Sequence, residues 1–87
     1  MFNYVCMSEY NITYEVVQDH DGYFRVKNIT KKRPYRFSTS TGDHFGKTTD
    51  LTKLLNAVKE EANYSDYFDD KQIIIIKADK KQEILAI

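Results

Sequence analysis

The sequence predicts a two-layer α+β domain: an antiparallel sheet of about five strands, in the order βββαββ, with one amphipathic helix packed on one face. Three observations predict it. Apolar residues alternate with polar ones over residues 10–16 and again over 23–27, the period of a strand with one wet face. Leu51, Leu54, Leu55, Val58 and Ala62 recur at helical spacing and fall in one stripe. Four consecutive isoleucines at 73–76 form a β-branched run, far shorter than the roughly 20 residues of a membrane-spanning helix.

Each element follows from local chemistry. Tyr10, Ile12, Tyr14 and Val16 alternate with Asn11, Thr13 and Glu15 as the first strand, with Tyr4 and Val5 as its extension or frayed start. Met7 is a second candidate initiator, so residues 1–6 stand as a frayed or alternative start to a single domain over 1–87. Asp19-His20-Asp21-Gly22 is a turn cluster ending in Asp-Gly, which pairs residues 10–18 with 23–30 as a hairpin. In the second strand Phe24 and Val26 take one side, and Tyr23, Arg25 and Lys27 the other. Lys31-Lys32-Arg33-Pro34 interrupts the pattern, because proline has no amide hydrogen for a ladder. Tyr35, Phe37 and Thr39 resume period two as a third strand, antiparallel to the second. A polar loop over 40–49 leads to a helix over 50–63, whose first amides Thr48, Thr49 or Asp50 can cap. Residues 64–70 form an acidic, aromatic connection. The isoleucine run reads as a strand buried on both faces. Asp79-Lys80-Lys81 turns the chain into a short last strand over 84–87.

A lone helix shields only part of such a sheet. Apolar surface on the opposite face is expected to need the 64–70 connection, a second copy or another protein as cover.

Composition narrows the class. Apolar residues make up 41% of the 87-residue chain and charged ones 30%, too apolar for disorder and too charged for a membrane protein. A domain this small buries about 60–65% of its unfolded surface, which leaves little core to spare for a deep substrate cavity. The opening residues lack the basic segment and apolar stretch of a secretory signal. Cys6 is a single thiol, where small secreted domains carry several; the expected compartment is the reducing cytoplasm. In that compartment the Asn-x-Ser/Thr triplets at Asn11, Asn28 and Asn63 carry no glycosylation meaning.

Sites of chemistry find little support. His20 and His44 stand 24 positions apart with Cys6 distant from both, so no metal or cofactor is expected. Cys6 sits among apolar neighbours that keep a thiol protonated and inert. Gly46-Lys47-Thr48 before the helix has the ending of a phosphate-binding loop, but Thr41 stands where the first glycine belongs. What survives is an anion held by Lys47 and the helix amides.

Charge is the informative feature. The net charge is zero, yet residues 1–21 carry four acids and no Lys or Arg, and residues 22–47 carry seven Lys/Arg against Asp43 alone. Residues 48–70 hold six acids and two lysines, and 71–87 four lysines and two acids. Two candidate surfaces follow. A basic face comprises Tyr23, Arg25, Lys27, Lys31, Lys32, Arg33 and Arg36, cations interleaved with rings, which suits either an acidic protein or nucleic acid. An acidic aromatic surface comprises Glu60, Glu61, Tyr64, Asp66, Tyr67, Phe68, Asp69 and Asp70, anchors with a charged rim for a basic groove. Three strands followed by a helix resemble, in element order alone, the sheet-reading DNA-binding domains of transposon integrases. The expected function is a small non-enzymatic protein acting by protein–protein interaction, such as an inhibitor or regulator from a phage or mobile element; the alternative is a sheet-based nucleic-acid binder using residues 25–36. No membrane is expected as a partner, and a second copy of the chain is the alternative to a different protein.

Overall fold

The computed structural model describes residues 9–65 and 67–87, so the readings placed on Tyr4, Val5, Cys6 and Asp66 lie outside the described residues. Within them run β1 (Asn11–Gln18), β2 (Phe24–Arg33), β3 (Arg36–Ser40), β4 (Lys47–Thr48), α1 (Leu51–Asn63), β5 (Asp70–Ile76) and β6 (Gln82–Ala86), with a 3-10 turn at Asp43–Phe45. The strands form one sheet in the order β3-β2-β1-β5-β6. β4 adds a sixth strand, pairing with Phe24 and Arg25 at the end of β2 that β3 does not reach.

The sheet is mixed, which corrects the expected antiparallel arrangement: β1 and β5 are parallel, and every other pair is antiparallel. The cause is α1. A tight hairpin reverses the chain, whereas a helical crossover carries it back along the sheet so that the next strand enters in the original direction. β5 therefore settles beside β1 at the centre.

One face of this sheet carries the helix. Ile12, Tyr14 and Val16 of β1, Phe24, Val26 and Ile29 of β2, and Ile73 and Ile75 of β5 are buried against Leu54, Val58 and Ala62 of α1. Leu51 and Leu55, the outer edges of the predicted stripe, pack at its rim with Phe45 and Leu85. Each large side chain so buried is worth about 1.5–3 kcal/mol against leaving it in water. The helix starts where Asp50 accepts from the Lys53 amide (3.2 Å), and Thr48 Oγ1 accepts from the Asp50 amide in turn (3.1 Å). At its other end Lys71 Nζ donates to the Ala62 carbonyl (2.7 Å), a cation placed on the negative end of the helix dipole.

The opposite face is more polar than expected. Register lays Thr39, Thr30, Thr13, Gln72 and Ala86 in one row across it, and Asn28, Glu15, Ile74 and Ile84 in the next. Gln72 Nε2 donates to Thr13 Oγ1 (3.2 Å) and Asn28 Nδ2 to Glu15 Oε1 (3.1 Å), so the centre is an ordered polar surface. Its aliphatic side chains gather toward the β5–β6 corner, where Val17, Ile74 and Ile76 are half-buried and Ile84 is 62% exposed. The isoleucine strand is thus covered on one face alone: Ile73 and Ile75 lie under the helix, while Ile74 and Ile76 face the uncovered side.

β2 carries a bulge. Val26 pairs with Val16 and Asn28 with Glu15, leaving Lys27 as the extra residue. Beyond it the faces exchange, and Ile29 continues the core where strict alternation from Val26 would have placed Asn28.

Candidate binding surface

The bulge decides where the cations go. Because Ile29 faces the helix side, Lys31 and Arg33 share that side and Thr30 and Lys32 the open one. β3 pairs Phe37 with Lys32 and Arg36 with Arg33. The basic residues are therefore distributed over both faces of one sheet corner, and do not form the single face expected from simple alternation. Lys32 and Phe37 sit side by side on the open face, with Lys31, Arg33 and Arg36 on the other. Pro34 and Tyr35 form the two-residue turn between them.

Exposure at this corner is high. Every residue of β3 is exposed, Phe37 at 68%, and Tyr35 at the turn is 97% exposed. Arg33 and Arg36 stand directly across from each other, an arrangement of like charges that costs the free protein stability. Among the described residues Lys31, Lys32, Arg33 and Arg36 form no ion pair. From residue 22 to residue 42 the chain has six Lys/Arg and no Asp or Glu.

The remaining predicted basic residues lie elsewhere. Arg25, at the far end of β2, bonds both carboxylate oxygens of Asp19 at 3.2–3.3 Å. Tyr23 lies under the Lys47 ammonium, 4.7 Å from the ring centroid, and Lys27 occupies the bulge. Lys47 is not set to hold an anion with the helix amides: the Asp50 carboxylate already occupies the helix start and places a negative charge there. Arg25, Gly42, Asp43, Gly46 and Lys47 line a shallow pocket of about 210 Å3 together with Val26, and Asp43 offsets its cations.

The acidic connection divides. Phe68 is a core residue at 6% exposure, and the Asp69 and Asp70 amides both donate to the Tyr10 carbonyl (3.0 and 3.2 Å), tying the segment to the sheet. Tyr64 is 83% exposed and Tyr67 61%. The Tyr67 ring meets Tyr10 and Phe68 edge-on, at centroid separations of 5.1 and 5.5 Å. Arg33 lies 5.1 Å from the Phe68 centroid and 5.7 Å from that of Tyr67. The two candidate surfaces, separate in sequence, adjoin at this guanidinium. Glu60 is exposed on α1.

Glu61 has a different role. It is half-buried, accepts from the Tyr14 hydroxyl (3.1 Å) and meets His44 Nε2 at 2.7 Å, linking sheet, helix and 3-10 turn. Burial, then the Glu61 charge, pushes the Tyr14 phenol well above its ordinary 10. Sequence reading missed this trio because its members are spread over 47 positions. It missed the split of the basic face as well, although the apolar steps Phe24, Val26, Ile29, two residues and then three, are the trace of a bulge.

Fold and surface together define a small α+β domain with a cationic, aromatic sheet corner. Comparison with protein-family models, with curated proteins and with solved structures yields no match. Among the described residues no helix is long and apolar enough to cross a membrane.

Proposed function

We propose that this chain is a small non-enzymatic binding protein that docks on an anionic macromolecular partner through the corner formed by β3, the end of β2 and the Pro34-Tyr35 turn. The carrying observation is the run of residues 22–42, which has no carboxylate and places four cations free of ion pairs among the described residues beside two exposed rings. Mutual repulsion of Arg33 and Arg36 is relieved by an incoming polyanion, so the corner is better suited to the bound state than to the free one. Retention on a sulfated polysaccharide matrix at low salt tests this. The wild type is expected to be held, and the Lys32→Glu/Arg36→Glu double variant to pass through while keeping its circular dichroism spectrum. Wild-type protein that flows through at low salt would overturn the reading.

A protein–protein reading, in which the chain occupies a partner's surface as an inhibitor or regulator, draws on a different observation. Ile84, Ile74, Ile76 and Val17 leave an apolar corner on the open face beside the β6 edge. Such a patch next to an unpaired strand edge favours association with a protein or a second copy.

A further inference from the structure

The partner of the basic corner is open to a finer assignment, which rests on the docking surface just proposed. An acidic protein needs only cations. This corner also offers rings, and it places them where a flat ligand reaches them: Tyr35 is 97% exposed at the turn, and Phe37, 68% exposed, stands on the open face next to Lys32. Both rings stand largely in water, and neither belongs to the hydrophobic core or packs at its rim. Tyr67 and Phe68 show what a structural ring looks like in this protein. Each is packed edge-on against another ring, and Arg33 lies near both. Among the described residues Tyr35 and Phe37 have neither.

We infer that the corner binds single-stranded nucleic acid, with Phe37 and Tyr35 stacking on unpaired bases and Lys32, Arg36 and Lys31 contacting the phosphates. A base has a π-face whatever its identity, so stacking is tolerant of sequence, and phosphates flanking the stacked base meet cations on both faces of the corner. A duplex hides those base faces except at its ends. The neighbouring threonines, Thr30 and Thr39, add hydroxyls beside the Phe37–Lys32 pair on the same face. In the row through Lys32 on the open face the first carboxylate is that of Asp70, two strands away beyond Asn11, about 10 Å at the usual strand spacing.

Fluorescence anisotropy with a labelled single-stranded oligothymidylate of about 12 nucleotides tests the inference, with a matched duplex and polyglutamate as the other arms. Single strands are expected to bind more tightly than either. The logarithm of the affinity should fall with the logarithm of salt at a slope of about −2, for three phosphate contacts on a single strand. Phe37→Ala and Tyr35→Ala should each weaken binding about tenfold while leaving that slope unchanged, because they remove stacking and no charge. Lys32→Glu/Arg36→Glu should abolish binding. Equal or tighter binding of duplex or polyglutamate, or indifference to both ring substitutions, overturns the nucleic-acid assignment and leaves the polyanion-docking reading standing. Binding to none of the three at low salt, with no retention on the polysaccharide matrix, overturns both.

Discussion

Tyr14 is wholly buried, yet its hydroxyl reaches a carboxylate. Replacing it by Phe removes a bond worth about 1 kcal/mol and leaves Glu61 Oε2 without that donor, while His44 still meets Oε1. The more specific consequence is alkaline. The folded protein holds the Tyr14 proton to a pH well above 10, whereas the unfolded chain releases it near 10, so above that pH the unfolded state binds fewer protons and stability falls as pH rises. Urea denaturation at pH 8 and pH 11 should show this loss in the wild type and a smaller one in Tyr14→Phe. Tyr10, raised chiefly by Tyr67, contributes in both proteins and so cancels in the comparison. Gly42 is set by space. A Cβ there would run into the Val26 side chain and carbonyl oxygen, so Gly42→Ala should cost about 1–3 kcal/mol, read as a lower denaturant midpoint at constant slope. Neither property is visible in sequence: a glycine in a polar loop and a tyrosine in an alternating run declare their neighbours only once the chain is folded.

Elements were legible where a local period governs them. The alternation of Tyr10, Ile12, Tyr14 and Val16 is strand β1, the Leu51-to-Ala62 stripe is α1, and Asp19-to-Gly22 is the first turn, with Gly22 at a φ of +87° that glycine adopts without strain. Direction and neighbours were not legible. Whether β5 runs parallel or antiparallel to β1 depends on which end of the sheet α1 returns to, and no residue of β5 states it. β4 is two residues long, too short for any period to show. The Lys71–Ala62 contact belongs to this scale, since it joins the start of β5 to the end of α1. Lys71→Met keeps the aliphatic stem and removes the donor. The expected loss is about 0.5–1 kcal/mol, and faster amide exchange should be confined to the last turn of the helix.

For the molecule as a whole, zero net charge conceals a segregated one. The charge blocks in the sequence pointed to a basic surface and an acidic one, and the fold gathers part of each. Lys31, Lys32, Arg33 and Arg36 meet at one corner, whereas Arg25 is drawn off by Asp19. Phe68 leaves the acidic surface for the core, while Tyr64 stays exposed. Composition along the chain can show that cations are concentrated, but a one-residue bulge decides which face each occupies. The proposed partner rests on surface chemistry alone, which is why salt slopes and ring substitutions discriminate where fold does not.

The parallel pairing of β1 with β5 also shapes how the protein forms. Thr13 and Gln72 are bonded across 59 positions of chain. A growing polypeptide can close the β1–β2 hairpin early, within about 10 μs once its residues are free, but the central strand keeps one bare edge until the seventies have been synthesised. Until then that edge is exposed to any extended segment nearby. The closing strand, which follows the helix in the chain, is thus the step that seals the nascent sheet.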